Sequence, residues 1–566
     1  MAVTESPPAG RAGGGQEGGA REGSARRREP RREPAALTYA GPLPVVPVRA
    51  RGLTIEGADG RRYLDCLSGA GSSVLGHNHP VVLEAIRSVL DSGAPLHIPD
   101  LTTPVGEDFT TELLRTLPGE LADGAGVRFC EPGGADAVGA ALELVRTATG
   151  RGGLLALSGA YHGMGQGALE ASAGAQGLCV TRLPDPYDSR CPRGTCGDRA
   201  AGRPAEDLLP GCFGSDPGSG RGAGRLAGVL VEPVRDEGVV PVPDSWLRRI
   251  RELTAERGVP LIADEARTGL GRTGVFWAVG HSGIVPDVMV LSTAIGGGLP
   301  LAVVVHREEL GTGRPAAPAG AFRGNQLALA AGAATMAYVR ENRLAERAAD
   351  LGDRMLRRLR EFAAGQPYVG EVRGRGLMIG VELVDPGAAG PGCPGRAAGG
   401  EPADAVTGHV SPVAGGSGPV EDLSGGGGHD IRDRETADRD AGGCDCHEPD
   451  FGMRVPGGPA VGGPGPRGPV LHGTAGRTGP AHLPAPEFAA EVRRECLRRG
   501  LIVGLGGRSS GVIRLLPPLT VTDEQADAVL DRLTAAITAT ARSWERGGSA
   551  RTVPRPLWLP GAGARR

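Results

Sequence analysis

An acidic pair stands directly after a short apolar run, in the segment Pro260 to Arg267 (PLIADEAR). A carboxylate just beyond a buried strand, here Asp264, can hold the nitrogen of a pyridine ring protonated, which is how a protein tunes such a ring as an electron sink. The other interpretation is that Asp264 only caps the loop at the strand end. The residues alone leave both roles open.

The basic residues limit the covalent chemistry that this chain can perform. The 62 residues counted as Lys plus Arg are all arginine, so the chain has no lysine. An imine needs a nucleophilic amine, and a guanidinium does not supply one because it stays protonated up to about pH 12. The abundance of Gly, Ala, Pro and Arg together indicates a bias in nucleotide composition, but bias alone rarely removes a residue that the chemistry requires.

Thiol and imidazole side chains occur together in the run from Cys444 to His447 (CDCH). These are zinc-ligand types, but without a correctly spaced second pair the pattern is weak. The same holds for Cys191, Cys196 and Cys212. We therefore predict no metal site.

Charge, cysteine content and hydropathy bear on location and partners. The formal net charge of −3 gives no indication of a nucleic-acid partner. The ten cysteines lie among ordinary segments, with no signal peptide and no apolar run near 18 residues, so the sequence predicts a reduced, cytoplasmic protein that does not enter a membrane. The arginines at positions 26–32 alternate with glutamates and are interpreted as a solvated tail.

Helical patterns alternate with short, almost wholly apolar runs between about Thr102 and Arg340. Runs buried on both faces and separated by helices are typical of a parallel sheet covered by helices. Ligands of such sheets bind at the carboxyl ends of the strands, where Asp264 is expected to lie. The five runs are 154–157, 228–231, 260–263, 288–291 and 301–305.

The domain organisation follows from where composition changes. Two stretches rich in Gly and Pro interrupt otherwise regular patterns, and we interpret them as insertions. The predicted parts are a disordered tail (1–35), the N-terminal part of a small domain (36–101), a large domain (102–341) with a Gly/Pro/Cys-rich insertion (188–225), the C-terminal part of the small domain (342–384 and 486–541), a low-complexity insertion (385–485) and a second tail (542–566).

Five short motifs, in this order and at compatible spacing, resemble the class III aminotransferases, and within them most the diaminobutyrate–2-oxoglutarate transaminase branch. The resemblance covers about Leu43 to Val384 and Glu487 to Leu533. It implies a fold type I α/β protein, with a large, mainly parallel-sheet α/β domain and a small α+β domain built from both chain ends. It also implies pyridoxal phosphate as cofactor and a homodimer with shared active sites. The motifs are 160–163 (AYHG), 232–233 (EP), 260–269 (PLIADEARTG), 285–300 (VPDVMVLSTAIGGGLP) and 322–326 (FRGNQ).

Thr293 is the main departure from the family pattern. In the resembling proteins the residue after this serine is the lysine that links the cofactor as an imine. Here Ser292 is followed by a threonine, whose hydroxyl cannot form an imine. Any pyridoxal or pyridoxamine phosphate that binds is therefore expected to be held without a covalent bond, and the absence of any cofactor stays an alternative.

Further departures fall on positions that the resemblance assigns to the same site. The phosphate-binding turn has no hydroxyl in Gly133, Gly134 and Ala135, although backbone N–H groups at a helix start remain. Ala321 replaces a phosphate-contacting threonine that the neighbouring subunit supplies. The residue that packs on the ring face is only Ala266, and the glutamine two places beyond the acidic pair is Arg267, which is expected to bring a permanent cation near the ring.

Other positions keep the family pattern. The resemblance assigns Asp264 to the ring nitrogen, Tyr161 and His162 to the stacking position, and Glu232 to the cofactor site. Arg514 matches the arginine that binds the substrate carboxylate, and bidentate guanidinium geometry suits an amino or keto acid. The alternative for Arg514 is an ion pair on an edge strand.

The sequence leaves three functions open, and whether the chain is an enzyme stays open with them. The first is a lysine-less, divergent enzyme that acts on an amino-acid-like substrate without an internal aldimine, with His162 or Tyr161 moving protons. The second is a non-catalytic homologue that binds a protein partner, such as an active paralogue. The third is the family reaction, pyridoxal-phosphate-dependent amino transfer from 2,4-diaminobutyrate to 2-oxoglutarate.

Overall fold

A computed structural model provides the coordinates on which the following description rests. By its contacts the chain divides into residues 1–396 with 478–566, and residues 397–477, and all described residues belong to the first of these units. The structure describes residues 43–172, 180–183, 226–311, 321–389, 482–507 and 509–546.

The described residues form 18 strands and ten α-helices. The strands are β1 (Pro47–Arg51), β2 (Thr54–Gly57), β3 (Arg62–Asp65), β4 (Ala125–Phe129), β5 (Gly153–Leu157), β6 (Val180–Leu183), β7 (Leu226–Val231), β8 (Val234–Arg235), β9 (Val240–Pro241), β10 (Leu261–Asp264), β11 (Val288–Leu291), β12 (Val303–Arg307), β13 (Val369–Arg375), β14 (Met378–Ala389), β15 (His482–Pro484), β16 (Leu501–Ile502), β17 (Gly504–Gly506) and β18 (Val512–Leu515). The helices are α1 (Pro80–Ser92), α2 (Pro104–Thr116), α3 (Gly119–Ala122), α4 (Gly134–Thr149), α5 (Gln166–Ala171), α6 (Asp244–Glu256), α7 (Gln326–Glu341), α8 (Leu344–Ala364), α9 (Pro486–Arg498) and α10 (Asp523–Arg546).

A seven-stranded sheet in the order β4, β12, β11, β10, β7, β5, β6 forms the centre of the large domain. All five apolar runs found in the sequence are strands of this sheet. The expectation of a mainly parallel sheet is confirmed, and the exception is β12, which pairs antiparallel with both β11 and β4. The connection from β11 to β12 holds only the glycine-rich turn, and a parallel neighbour needs a crossover of about a dozen residues or more.

Both faces of this sheet are buried, and this explains why its strands are apolar at every position. Along β11, Val288 and Val290 pack with side chains of α4 in one core. Met289 and Leu291, which point the other way, belong to a second core together with residues of α2, α6 and α7. A strand covered on both sides needs no polar alternation. The layered α/β architecture that the sequence predicts is thereby confirmed.

Both chain ends contribute to the small domain. The turn 57–60 joins β2 and β3, and β16 from the C-terminal half pairs parallel with β3. A second sheet in the order β13, β14, β18, β17 carries the C-terminal half of the small domain. β18 is an internal strand of this sheet, so Arg514 does not lie on an edge strand.

The ends of the long predicted insertion lie side by side. β14 runs to Ala389, beyond the predicted end at Val384, and β15 pairs with it antiparallel so that Val384 lies opposite Pro484. The boundaries 385 and 485 are therefore corrected to the ends of these two strands. Residues 390–481 lie outside the described residues, as do the whole insertion 188–225, the tail 1–35 and residues 547–566. α10 continues to Arg546, past the predicted boundary at 541.

No helix in the described part of the chain is both long and apolar enough to cross a lipid bilayer.

Candidate active site

The candidate site lies where β10 and β11 end. These two strands are parallel neighbours in which Asp264 is aligned with Val290, and the Glu265 N–H donates to the Val290 carbonyl at 2.9 Å. The residues that follow each strand therefore leave the same edge of the sheet. Asp264 and the pair Ser292-Thr293 are brought together in this way.

The start of α4 closes one side of the site. A Cβ atom built on Gly134 would lie 3.7 Å from Ser292 Oγ and 3.9 Å from Ala266 Cβ. A Cβ atom on Gly163 would lie 2.6 Å from that of Ala135, so the loop after Tyr161 and His162 packs against the same helix end. Most residues that the resemblance assigned to the cofactor thus converge at this edge of the sheet.

Asp264 and His162 form a buried pair. His162 Nδ1 lies 2.7 Å from Asp264 Oδ2, and the other oxygen of the carboxylate accepts the Ala266 N–H at 3.1 Å. The His162 ring is fully buried, and its backbone N–H donates to Ser172 Oγ at 2.9 Å. Nε2 of His162 is buried and has no hydrogen-bond partner among the described residues. A buried polar atom of this kind indicates a missing partner, such as a ligand or a water molecule.

Glu232 lies next to this pair at the end of β7 and is buried. Its carboxylate accepts the Tyr161 N–H at 3.3 Å, which holds the loop of Tyr161 in place. Burial raises the pKa of Glu232 well above its usual range, and the negative charges of Asp264 and Asp236 raise it further. The protonated form of Glu232 is favoured for these reasons.

Arg514 and Arg267 share one carboxylate. Arg514 Nη1 donates to Asp236 Oδ2 at 2.7 Å, and Arg267 Nη1 donates to the same oxygen. Burial by itself would raise the pKa of Asp236, but the two guanidinium groups outweigh it and the pKa is lowered. The Arg267 side chain is turned to Asp236, and its expected place near the ring stays a prediction. Arg514 does form an ion pair, but it lies on the internal strand β18, so the alternative of an edge-strand ion pair is wrong about the strand.

Sequence reasoning did not single out Asp236. The signal that was available is its place in the run Glu232 to Glu237 (EPVRDE), where three acidic residues follow the buried strand β7. Nothing in that run shows that Asp236, rather than its neighbours, meets arginines distant in the sequence.

Two glycines of β17 make room for Arg514. Gly504 lies opposite Arg514 in the β17–β18 pairing, and a Cβ atom on Gly506 would lie 2.6 Å from Arg514 Cδ. A larger residue at position 506 would displace the arginine. The sequence Gly504-Leu505-Gly506 therefore lets the guanidinium lie along β17 and reach Asp236.

Thr293 follows β11 in a strained turn. Its φ angle is 36°, a left-handed conformation that is unfavourable for a β-branched residue. The turn continues through Gly297 (φ 61°), whose missing side chain allows an approach to α7: a Cβ atom there would lie 2.8 Å from the Ala331 carbonyl oxygen. Contact with α7 therefore holds the backbone of the turn in place. The only functional group at position 293 is a hydroxyl.

The start of α4 has the features of an anion site. Its N-cap is Gly133, so no capping side chain competes with a phosphate for the N–H groups of Gly134 and Ala135, whereas the Asp136 N–H already donates to the Gly133 carbonyl at 3.1 Å. The exposed carboxylate of Asp136 lies beside Gly133 and counts partly against an anion there. Ala321 is exposed, and its carbonyl accepts from His97 Nε2 at 2.7 Å. The next residue, Phe322, donates its N–H to Glu131 Oε1 at 3.1 Å, close to the start of α4 in sequence.

These groups fit a pyridine ring with a phosphate, but not its covalent attachment. Asp264 keeps acceptor capacity because each carboxylate oxygen can accept two hydrogen bonds. The open N-terminus of α4 suits the phosphate, and the unpaired His162 Nε2 marks a place where a polar partner is missing. The chain has no lysine to form an imine. The site therefore fits a cofactor that is held by non-covalent contacts alone.

Within the described residues, no group of three or more His, Cys, Asp or Glu side chains is arranged to hold a metal ion. The run from Cys444 to His447 and the cysteines at 191, 196 and 212 lie outside the described residues, so the prediction of no metal site is not tested there.

Comparison with known proteins decides the family. The sequence profile of aminotransferase class III matches residues 38–398. The chain belongs to the class III aminotransferases. A diaminobutyrate–2-oxoglutarate aminotransferase of Rhizobium meliloti (strain 1021) is 41% identical to this class III aminotransferase over 515 residues, which cover 89% of this chain and 90% of the relative. One from Haemophilus influenzae (strain ATCC 51907 / DSM 11121 / KW20 / Rd) is 43% identical over 357 residues, covering 62% and 77%.

Solved structures confirm the fold of this class III aminotransferase. An amine transaminase from an uncultivated Pseudomonas species superposes with a TM-score of 0.64 at 24% identity, covering 88% of this chain and 95% of that one. A transaminase from Thermomicrobium roseum gives the same TM-score at 23% identity, covering 92% and 98%. The fold type I architecture is thereby confirmed.

Proposed function

We propose that this class III aminotransferase binds pyridoxal or pyridoxamine phosphate without a covalent bond and acts on an amino acid or keto acid. The observation that carries the proposal is the buried Asp264–His162 pair, kept at the end of β10 in a chain without lysine. A carboxylate in this position is useful to a pyridine ring that needs a protonated nitrogen. Burying a charge for no purpose is costly, so its retention supports a ligand.

Each residue of the site has a task in this proposal. Asp264 holds the proton on the ring nitrogen, and His162 fixes the orientation of Asp264. The first N–H groups of α4 bind the phosphate, and Arg514 binds the substrate carboxylate. When bound, the cofactor withdraws electrons from the carbon that carries the amino group. Glu232 in its protonated form adds no second negative charge beside Asp264.

The proposal is tested by cofactor binding rather than by activity. Pyridoxamine phosphate and pyridoxal phosphate are titrated into the purified full chain, and binding is followed by calorimetry and by the cofactor absorbance. The proposal is supported if both cofactors bind and if borohydride reduction followed by peptide mass spectrometry finds no adduct at any internal residue. Asp264→Asn should weaken binding, whereas Asp244→Asn, at the start of α6 in an ion pair with Arg375 of β13, should not. Failure of the parent to bind either cofactor contradicts the proposal and favours a non-catalytic homologue that binds a protein partner.

A second candidate is ordinary amino transfer from 2,4-diaminobutyrate to 2-oxoglutarate. The 41% identity to the Rhizobium meliloti aminotransferase, over most of both chains, favours it. The unmodified protein is incubated with these two substrates. If it forms glutamate, and if Asp264→Asn abolishes this activity, the result supports this candidate and shows that the reaction does not need the missing lysine.

We also propose that the chain forms a homodimer. Segments 96–101 and 321–324 pack on each other, through a hydrogen bond from the Ile98 N–H to the Gly324 carbonyl at 3.2 Å. They expose large apolar side chains: Leu96, Leu101 and Phe322, the last of which is 70% exposed. Apolar groups gathered in this way favour a protein partner. Sedimentation equilibrium of the parent and of the Phe322→Ser variant tests this proposal. Only the variant should yield monomers. A monomeric parent contradicts a homodimer and leaves an active paralogue as the partner to test. The cytoplasmic location stays a prediction.

A further inference from the structure

Three arginines project from one face of the sheet formed by β1, β2 and β3. Arg49 lies opposite Glu56 in the pairing of β1 with β2, and Glu56 lies opposite Arg62 in the pairing of β2 with β3. Directly opposite residues of antiparallel strands point to the same side of a sheet, and so do residues two apart on one strand. Arg51 therefore shares this face with Arg49 and Arg62. Between Cα atoms, Arg49 lies roughly 7 Å from Arg51 and roughly 10 Å from Arg62.

This face is the floor of an open groove. The groove has a volume of about 870 Å³, which lies within the range of roughly 300–1,000 Å³ that is usual for small-molecule sites. Its wall is formed by the start of α10 and the loop before it, which contribute Thr520, Thr522 and Gln525. Within the described part of the chain, the groove shares no lining residue with the candidate active site. It is therefore a separate place on the small domain.

Hydrogen bonds fix the shape of the groove. The Thr522 N–H donates to Gln525 Oε1 at 3.1 Å, and the Gln525 N–H donates back to Thr522 Oγ1 at 3.2 Å. This reciprocal cap holds the first turn of α10. Thr520 Oγ1 donates to the Leu75 carbonyl at 3.0 Å, and this bond fastens the loop before the helix. The groove is therefore formed before any ligand binds.

The three guanidinium groups of the groove have no carboxylate partner. Within the described residues, no ion pair or hydrogen bond involves the side chains of Arg49, Arg51 or Arg62, all of which are exposed. Where an arginine of this chain serves to join two helices it does have one: Arg354 of α8 pairs with Asp523 of α10 at 2.8 Å. Like charges that are held together without counterions attract an anion.

We propose that this groove binds a small anion with two or more phosphate groups. Arginine stays charged at every pH at which proteins are folded, so three positive charges face the single negative charge of Glu56. A guanidinium binds two phosphate oxygens through parallel hydrogen bonds. Three such groups supply more donors and more charge than one phosphate needs. Their separation suits phosphate groups that are joined in one ligand.

The edge of β1 favours a small anion over an acidic peptide that adds a strand. The Gly52 N–H donates to the His77 carbonyl at 2.8 Å, and the His77 N–H donates to the Gly52 carbonyl at 2.9 Å. Asn78 Nδ2 donates to the Ala50 carbonyl at 2.8 Å. These bonds occupy backbone groups with which an added strand would pair. The side chains on the face of the sheet stay open to a ligand.

Binding of tripolyphosphate to the purified full chain tests the proposal. Dissociation constants are measured by calorimetry in about 0.15 M salt, so that weak surface attraction is screened, and melting curves show that each variant folds. The parent should bind one equivalent, with the same affinity in excess pyridoxamine phosphate. Arg49→Gln and Arg62→Gln should each weaken binding roughly tenfold, the value of one charge-assisted hydrogen-bonded contact. Glu56→Gln removes the opposing charge and should strengthen binding roughly two- to fivefold.

A control variant and two further ligands complete the design. Arg358→Gln removes an exposed arginine that pairs with Asp527 at 2.9 Å and should leave binding unchanged. Tricarballylate, with three carboxylates and no phosphate, should bind at least roughly tenfold more weakly than tripolyphosphate. Tighter binding of ATP than of tripolyphosphate would support a nucleotide as the ligand, and equal binding would support a free polyphosphate.

Four results would overturn the proposal. The first is a parent that does not bind tripolyphosphate. The second is a loss of affinity in Arg358→Gln as large as in Arg49→Gln, which would indicate general attraction to a charged surface. The third is tricarballylate binding as tightly as tripolyphosphate. The fourth is displacement of tripolyphosphate by pyridoxamine phosphate, which would place the anion at the candidate active site instead.

Discussion

His162 Nδ1 lies 2.7 Å from Asp264 Oδ2, and both side chains are buried at the carboxyl end of β10. The pair links a loop residue to a strand residue 102 positions further along the chain. It therefore depends on the packing of that loop against α4. This contact is therefore expected to contribute to the stability of the fold and to hold the Asp264 carboxylate in place for a ligand.

Replacing His162 tests how much the pair contributes to stability. His162→Phe removes the hydrogen bond to a buried carboxylate and should lower the free energy of unfolding by roughly 1.5–3 kcal/mol. Urea unfolding followed by circular dichroism measures this. The control is Arg249→Gln, which removes an exposed ion pair with Glu252 and should change stability by less than about 0.5 kcal/mol. Equal effects of the two changes would contradict a specific role for the pair.

Thr293→Lys tests whether the site lacks only its amine. The new side chain would start at the end of β11, beside Asp264, and partial burial would lower the pKa of its amine and favour covalent reaction with pyridoxal phosphate. The substitution also removes a β-branched residue from a left-handed conformation. The variant should turn yellow with pyridoxal phosphate, and borohydride reduction should leave an adduct at residue 293.

Two further variants accompany Thr293→Lys in this experiment. Gly134→Ser alongside Thr293→Lys should strengthen phosphate binding, because the added Cβ meets only ordinary contacts of 3.7 Å and more. Arg354→Lys places an amine on the exposed surface instead and should give no coloured complex. A folded Thr293→Lys variant that stays colourless would show that the site has changed beyond this residue.

Removing the long insertion should leave the fold intact. β14 and β15 pair with Val384 opposite Pro484 and Ala389 opposite His482, so a short Gly/Ser linker in place of residues 390–481 would close a hairpin. Because closure entropy grows only slowly with the length of a connection, a roughly twentyfold shorter connection lowers the closure cost by at most about 2–3 kcal/mol, so thermal unfolding should show a nearly neutral or mildly stabilising effect. A control deletion that continues through Pro484 removes β15 and should destabilise. Loss of soluble protein from the first deletion alone would contradict the prediction.

Glu265 should make stability depend on pH near neutrality. Burial raises its pKa from 4.5 to about 7, although hydrogen bonds from Thr268 Oγ1 and the Val279 N–H oppose the shift. Because the folded-state pKa is the higher one, this contribution to stability is complete below about pH 4.5 and is lost as the pH rises through 7.

The isosteric change Glu265→Gln isolates that contribution. The amide keeps the contacts with Thr268 and Val279 but cannot ionise, so the variant should gain melting temperature relative to the parent as the pH rises from 5 to 8. The effect is on the order of 2–3 kcal/mol at most. A difference between the two melting temperatures that does not vary with pH would contradict the assignment to Glu265.

Local sequence patterns were sufficient for the strands and for the residues at their ends. The buried runs that form β10 and β11 are apolar because both faces of the sheet are covered. Such runs can be recognised from the sequence alone. Asp264 and Thr293 follow these runs directly, so their place at the sheet edge could be predicted. The absence of lysine needed no structure either.

Tertiary structure alone decided the direction of β12 and the partners of the charged groups. Arg267 and Arg514 meet Asp236 across separations of 31 and 278 residues, and Asp264 meets His162 rather than only a ligand. A local pattern reports burial and periodicity, but the partner of a long charged side chain depends on which loops the packed elements bring within a few ångströms. For this reason the sequence predicted most of the residues that lie at this edge of the sheet, and only the fold decided that Arg267 and Arg514 share the carboxylate of Asp236.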